Sequence, residues 1–486
     1  MTNVHNARMS LTIEVDRHHT LPIYLQICER FKAAIAAGHL KPGDRVPALR
    51  GLATQLNTAR GTVEMAYDIL VDEGYLQMRG AAGTFVSSSL PGSVTKGAPR
   101  RVRERAAPLR AVVVDNDAKP LRPGLPALDA FPRKVWARLV GHRARGVDIA
   151  SLTYPDPAGF RPLRERISTY VGLSRGVECV PEQVFVTNGY RATLELILRS
   201  LSKPGDSAWF EEPGYLLARN FLIEAGLTLV PVPIDEEGLD TEQGELVDAN
   251  AHFAFVTPSH QSPLGVTLSL ARRMKLLEWA DRAGSWIVED DYDSEFRYAG
   301  RPLPALKSLD RDDRVIYCGT FSKVMFPGLR LSYLVAPERA IARFDQITRS
   351  MNAGPPHLLQ AAVADFIAQG HFARHLKRMR ALYAERRTLL ADAIVKAFGE
   401  RVSMELPAGG MHLVMRFTPT PNGPVDDLAV AARAREAGLA VIGLSAWYLG
   451  ARTKRSLRGI VLGFANVADS AEATRLARML RRAYDG

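Results

Sequence analysis

Apolar positions along the N-terminal stretch recur with two different periods. In "LPIYLQICERFKAAIAAG", Ile23, Ile27, Phe31 and Ile35, with Leu25 and Ala34 beside them, fall close to helical spacing and stop at Gly38. After the turn "KPGDRVP", "ALRGLATQLN" predicts a short second helix. "ARGTVEMAYDILVDEG" predicts a third, with Val63, Ala66, Tyr67 and Leu70 on one face and Gly74 as its C-cap. "YLQMRGAAGTFV" then alternates, which predicts two short strands around a glycine-rich turn. Two short helices joined by about four residues and followed by a hairpin make a winged helix-turn-helix pattern. A small helical domain without DNA contacts is the alternative reading of the same pattern.

Further along, strand-like and helix-like segments alternate: "QVFVTNG" with "YRATLELILRSL", "SAWFEEPGY" with "LLARNFLIEAG", "HFAFVTPSH" with "ARRMKLLEWADRAG", then "WIVEDDY" and "DRVIYCGTFSK". Apolar strands interleaved with amphipathic helices predict an α/β body with a mainly parallel sheet. Between the two parts, "SSSLPGSVTKGAPRRVRERAAPLR" has linker composition. The expected division is a head over 20–87, a linker over 88–118 and a body over 119–486. The body divides into a large part to about residue 345 and a smaller α+β part after it.

Composition narrows this picture. At 486 residues the chain exceeds one ordinary domain. No run approaches the roughly 18 apolar residues of a membrane helix, and the first twenty residues lack a signal-peptide core. Cys28, Cys179 and Cys318 are isolated, which fits a reducing cytoplasm and argues against a disulfide frame or a thiolate metal site. The net charge is +11, and Lys96, Arg100, Arg101, Arg103, Arg105 and Arg110 against Glu104 place +5 of it in the linker. Such a balance favours anionic partners, nucleic acid first, with plain solubility as the alternative reading, and beside the winged helix-turn-helix pattern the expected partner is double-stranded DNA.

The chemistry gathers at predicted C-terminal strand ends, where ligands collect in open α/β sheets. There stand Gly189, Tyr215, Ser262, Asp290 with Tyr292, and Lys323. A lysine in a confined site can lose its proton and form a Schiff base. Asp290 ends a very apolar strand and needs a cationic partner, which a protonated pyridine nitrogen supplies. Tyr292 can bond a ring phenolate oxygen, and Tyr215 can lie on a ring. The helix opening at "NGYRAT" offers N–H groups at Tyr190 and Arg191 to a phosphate, joined by Thr320, Ser322 and Arg330. Each feature alone is as readily structural. The ordered set describes a site for pyridoxal 5'-phosphate, PLP.

In the head, the third helix would enter the major groove with Arg60 and Thr62 at its leading end. Arg50, Arg79 and the wing backbone at Gly80 and Gly83 would meet phosphates. The stretch from "LPIYLQICERF" to "RGAAGTFV" resembles the GntR-type DNA-binding domain throughout. That family places a serine before the recognition-helix arginine; here it is Ala59, which leaves Thr58 to cap one residue earlier.

The body, from "RPGLPALDAFPRKVW" onward, resembles the fold-type I aminotransferases, with "TPSHQSPLGV", "WIVEDDYDSEFRYAGRPLPAL" and "GTFSKVMFPGLRLSYLVAP" carrying the likeness. Head and body together resemble the MocR/GabR family of PLP-dependent transcriptional regulators. The resemblance makes Lys323 the Schiff-base lysine, Asp290 the pyridine partner and Tyr292 the phenolate partner. Tyr190, Arg191, Thr320, Ser322 and Arg330 become the phosphate cup. Tyr154, in "YPDPAGFRPLRERI", becomes the tyrosine sent across a homodimer interface.

Two departures bear on activity. Where aminotransferases keep a carboxylate-binding arginine in the last strand, this chain reads "GIVLGFAN", with Val461 there and Arg458 three residues earlier. Ser262 stands where relatives carry asparagine or an aromatic residue. The expected function is therefore a transcriptional regulator sensing an amine effector, or PLP itself, through Lys323, with ordinary transamination of α-amino acids not expected. An active aminotransferase with a regulatory DNA-binding head is the alternative.

Overall fold

The computed structural model describes residues 14–17, 19–88, 119–300, 303–351, 354–421, 423–450 and 456–486. The linker expected over 88–118 lies outside these apart from Ser88. The chain separates into two compact units, one N-terminal to about Val113 and one from Val114 onward.

The N-terminal unit holds helices α1 (Ile23–Ala36), α2 (Leu49–Gln55) and α3 (Arg60–Asp72), then strands β1 (Leu76–Met78) and β2 (Thr84–Val86). The expected helix faces meet in one core, in which Ile27, Phe31, Val63, Ala66, Tyr67 and Leu70 are buried. Phe31 and Tyr67 meet edge to face at 5.5 Å, and the Tyr67 hydroxyl donates to Pro47 O at 2.8 Å. Gly74, just past α3, takes φ +78° and lets the Tyr75 N–H return to Leu70 O. β1 and β2 pair antiparallel around the turn Gly80–Ala82, forming the wing.

In the body, α4 (Arg133–Arg145) and α5 (Arg161–Arg175) precede a large sheet. Its strands are β3 (Val184–Thr187), β4 (Ser207–Glu212), β5 (Thr228–Asp235), β6 (Gly238–Leu239), β7 (Phe253–Val256), β8 (Trp286–Asp291), β9 (Val315–Thr320) and β10 (Ser332–Val335). Their spatial order is β3-β10-β9-β8-β7-β4-β5-β6. The run from β9 to β5 is parallel, while β10 is antiparallel to both of its neighbours. Between the strands run α6 (Tyr190–Leu201), α7 (Leu216–Glu224), α8 (Thr241–Asp248), α9 (Leu270–Ala283) and a single turn, α10 (Phe321–Val324).

Side-chain alternation divides the two faces cleanly. Phe185, Phe210, Phe255, Val288 and Ile316 join one core. Trp209, Ala254, Val256, Ile287 and Val315 join another, with Trp209 stacked on Trp279 at 3.8 Å.

After α11 (Ile341–Met351), α12 (His357–Ala368) and the long α13 (His371–Phe398), an antiparallel sheet forms from β11 (Val402–Met404), β12 (His412–Phe417), β13 (Ile442–Gly443) and β14 (Gly459–Gly463). Its order is β11-β12-β14-β13. α14 (Asp427–Glu436) and α15 (Ser470–Asp485) complete this smaller part.

Candidate functional site: a half-buried lysine and its neighbours

The parallel strands end together, and the loops that follow them converge. Gly189 follows β3, Tyr215 follows β4, Ser262 follows β7, Asp290 is the last residue but one of β8, and Lys323 follows β9. Lys323 sits on α10, because Thr320 stops the strand: its hydroxyl accepts from the Ser322 N–H at 3.2 Å and caps the turn. Ser332 Oγ bonds the same hydroxyl at 2.9 Å. The ammonium of Lys323 donates to Gly124 O at 2.9 Å. Gly124 takes φ +69°, and a Cβ there would stand 2.7 Å from Lys323 Nζ, so glycine is what admits the backbone so close.

Burial pulls the Lys323 amine below its ordinary range, against the carboxylates of Asp293 and Asp290. That favours the neutral amine needed for covalent chemistry. Burial likewise lifts the Asp290 carboxyl to about 7, even though the Tyr190 hydroxyl bonds it and Lys323 is near. A carboxylate in this state lacks a sufficient cation, and a protonated ring nitrogen fits the need. Its sequence neighbours face the other way. Glu289 accepts from the N–H groups of Leu306 and Lys307 at 2.8 and 2.9 Å. Asp291 pairs with Arg175 at 2.7 Å and accepts from the Tyr317 hydroxyl at 2.6 Å.

Tyr292 is half-buried, and burial raises its hydroxyl well above the usual tyrosine range. It donates to His260 O at 3.1 Å and meets His260 Nδ1 at 3.1 Å, with Ser262 also bonded to it. His260 Nδ1 lies 3.2 Å from Asp293 Oδ2. His412 stands beside this pair, its ring 5.0 Å from that of His260, and burial pushes its imidazole down to about 4.

Opposite the lysine, α6 opens at Gly189, whose φ of +92° turns the chain into the helix. The Ala192 and Thr193 N–H groups already bond Gly189 O, so those of Tyr190 and Arg191 form the exposed first turn. Arg330, itself at φ +51°, brings its guanidinium carbon within 3.6 Å of where a Gly189 Cβ would stand. Helix N-terminus, guanidinium and nearby hydroxyls make a cradle suited to a phosphate. The Arg191 side chain does not join it, bonding Glu224 at 2.9 Å instead. Tyr154 stands apart, 88% exposed, and is not drawn into the cluster within one chain.

Val461 is buried against Leu216, Leu444 and Trp447, with Tyr215 at the edge of the same cluster. This wall of the site is apolar. Arg458 is turned to Ser445 Oγ at 3.1 Å and to Asp427 at 3.8 Å.

In the head, α3 begins at Arg60, with Arg50, Arg60 and Arg79 exposed and Thr62 half-buried. Arg79 lies over the Phe85 ring at 4.9 Å, and Gly80 takes φ +54° in the wing turn. One expectation is corrected. The N-cap of α3 is Ala59 with no side-chain cap, not Thr58, whose N–H instead closes the preceding turn on Ala53 O at 3.0 Å.

Among the expected groups, Asp290 interacts with Lys323, Tyr190, Tyr215 and Tyr292, and Ser262 bonds Tyr292, while Thr320 caps the turn that carries Lys323. Sequence reasoning missed Gly124, His260, Asp293, His412 and the side-chain role of Tyr190. The signal for two of these was at hand, since His260 lies two residues before Ser262 and Asp293 one residue after Tyr292.

Comparison with known proteins agrees with both halves. Residues 23–86 match the bacterial regulatory proteins of the gntR family, and residues 144–462 match aminotransferase class I and II. The chain is 41% identical over 415 residues to the probable rhizopine catabolism regulatory protein MocR of Rhizobium meliloti, covering 83% of each. It is 33% identical to the pyridoxine biosynthesis regulator PdxR of Corynebacterium glutamicum, covering 93% of this chain and 94% of that one. Among solved structures, LysN, an α-aminoadipate aminotransferase of Thermus thermophilus complexed with N-(5'-phosphopyridoxyl)-L-leucine, is 28% identical. It superposes with a TM-score of 0.67 over 75% of this chain and 92% of that one. The kynurenine aminotransferase of Pyrococcus horikoshii gives 26% identity and a TM-score of 0.68 over 79% and 95%. The two regulators are matched over 83% and 94% of their length, and the chain belongs to the MocR-type family of transcriptional regulators, which join a GntR-type DNA-binding head to a PLP-dependent, aminotransferase-like body.

Proposed function

We propose that the protein is a cytoplasmic, homodimeric regulator that holds PLP on Lys323 and answers an amine effector, or PLP itself, by changing its grip on operator DNA. The observation that carries this reading is the pairing of Lys323 and its neighbours Asp290 and Tyr190 with an apolar cluster at Val461, in a chain that also carries a DNA-binding head.

Bound there, the cofactor supplies an aldehyde for an amine and a ring that draws electrons from it. The chain supplies the rest. Lys323 presents an amine whose proton burial has loosened. Asp290 holds a proton at the ring nitrogen, with Tyr190 fixing the carboxylate. Tyr292 and Ser262, hydrogen-bonded to each other, would hold the ring oxygen. The first turn of α6, Ser322, Thr320 and Arg330 would hold the phosphate, with Tyr154 of the neighbouring subunit joining them, and Tyr215 would lie on the ring. In the head, Arg60 and Thr62 read the major groove while Arg50, Arg79 and Gly80 meet phosphates. An effector acts only through a difference in affinity between two arrangements of the dimer.

The test is a visible-absorption titration of the purified protein with amines and with PLP, run beside operator-binding measurements. Spectral change together with changed operator affinity supports a sensor. Sustained turnover at about 1 s⁻¹ or faster, the low end of ordinary enzyme rates, would make it an aminotransferase with a regulatory head.

A further inference from the structure

Behind Tyr292 there are more polar contacts than hydrogens to fill them. The Tyr292 hydroxyl lies 3.1 Å from His260 Nδ1 and 3.1 Å from His260 O, and Ser262 bonds it as well. His260 Nδ1 also lies 3.2 Å from Asp293 Oδ2, between side chains that are 6% and 1% exposed. A neutral imidazole carries its hydrogen on Nδ1 or on Nε2, and the bonds offered to the two nitrogens decide which.

The surroundings make that choice. A carboxylate oxygen only accepts, so a bare Nδ1 would set lone pair against lone pair at 3.2 Å. Buried Nε2 has no hydrogen-bond partner among the described residues. Its side of the ring is closed by glycines: a Cβ at Gly265 would stand 3.2 Å from Nε2, and one at Gly410 would stand 2.4 Å from Nε2 and 1.9 Å from Cε1. A hydrogen on Nδ1 is therefore satisfied, and one on Nε2 would be stranded. An Nδ1 that donates cannot accept from Tyr292.

We propose that His260, held by Asp293, is a positioning residue that carries its hydrogen on Nδ1 and so obliges Tyr292 to donate, not accept, at the cofactor's ring oxygen. The role rests on the reading that Lys323 and Tyr292 serve PLP. The other charged or titratable groups around the ring are His412 of β12, 5.0 Å away between ring centres, and Arg175 of α5 and Arg297, which line a small cavity with His260. Arg175 is spent on Asp291, Ser259 Oγ and Leu303 O. His260, Asp293 and His412 offer ligand atoms within 4.8 Å of one another. Yet His412 Nε2 bonds Pro263 O at 2.7 Å, and Asp293 Oδ2 also accepts from the Met411 N–H at 3.1 Å. Hydrogen bonds account for the trio without an ion.

Magnetic resonance of stripped, full-length protein labelled with nitrogen-15 at histidine reads the tautomer, and the signal lost in His260→Asn identifies the ring. The hydrogen should sit on Nδ1. A hydrogen on Nε2 overturns the proposal, as does one equivalent of firmly held metal that Asp293→Ala releases. The second readout is the pH midpoint of the visible absorption of PLP-loaded protein, with borohydride fixation at Lys323 checking that each variant is folded and loaded. A hydrogen donated by Tyr292 favours a bare, negative ring oxygen and lowers this midpoint. Asp293→Asn keeps an acceptor for Nδ1 and loses only the charge; since that charge raises the Lys323 amine, its loss should move the midpoint down. Asp293→Ala also frees Nδ1 to take the Tyr292 hydrogen. Its midpoint should stand above that of Asp293→Asn by about one pH unit or more, the worth of one hydrogen bond to a charged group. Equal midpoints in the two variants overturn the proposal, and where Asp293→Ala does not load, the wild-type tautomer decides. Fixation at another lysine, with the Nδ1 hydrogen in place, overturns the reading of Lys323 instead.

Discussion

Replacing Asp290 by asparagine should stabilise the cofactor-free protein while weakening its hold on PLP. Burial lifts this carboxyl from an ordinary 3.8 to about 7. Each tenfold in proton affinity is worth about 1.4 kcal/mol, so keeping Asp290 ionised in the empty site costs on the order of 4 kcal/mol above neutral pH. Proton counting fixes the sign. Between about pH 4 and pH 7 the folded protein keeps a proton on Asp290 that the unfolded chain has released, so this contribution falls as pH rises and is level above that window. Asparagine is neutral throughout and retains an oxygen for the Tyr190 hydroxyl. In urea denaturation of stripped protein, Asp290→Asn should therefore gain on wild type by about 2 kcal/mol between about pH 5.5 and pH 7, with no further gain above. With PLP bound the order should reverse, because the ring nitrogen supplies the missing cation and asparagine cannot pair with it. The buried, stacked Trp209 and Trp279 give a fluorescence signal for the unfolding. Parallel stability curves for the two proteins across this pH range would refute the reasoning.

Gly124→Ala should displace the Lys323 ammonium, since the new methyl would stand 2.7 Å from Nζ at a φ of +69°; slower cofactor loading measures this. Arg60→Ala should cost about 1–3 kcal/mol of operator affinity and flatten sequence preference, whereas equal loss on specific and random DNA would mark a phosphate contact. Tyr154→Phe should weaken PLP retention, and mixing it with Lys323→Ala should give dimers with one intact site, seen as partial recovery of cofactor binding at half stoichiometry.

The head was legible because its signals are local. Helical spacing, the stop at Gly38 and the left-handed Gly74 all act within a few residues. The order of site groups was legible for a different reason, since open parallel sheets deliver their loops to one edge. What escaped depends on contacts made far along the chain. The bond from Lys323 to Gly124 spans 199 residues, and nothing in "RPGLP" announces it. The antiparallel course of β10 was equally hidden, because the apolar run "LSYLV" reads the same in either direction. Tyr190 was read for its backbone N–H, while its hydroxyl turned out to bond Asp290, a matter of side-chain direction at the first turn of α6. The cap of α3 failed through a single residue, Ala59, where local chemistry offered no side-chain acceptor.

The strand "WIVEDD" ends in three acids whose fates diverge by one residue at a time. Glu289 ties β8 to the turn at Leu306, Asp290 faces the reacting space, and Asp291 neutralises the buried Arg175. The pleat alone imposes this split, because adjacent side chains leave a strand on opposite faces. Descendants of this gene that abandon PLP are free to lose the middle acid, and the stability of the empty fold rewards the loss. The outer two remain under the demands of folding whatever the protein comes to bind. A drifting copy would therefore show its change of trade first at position 290, with its neighbours unaltered.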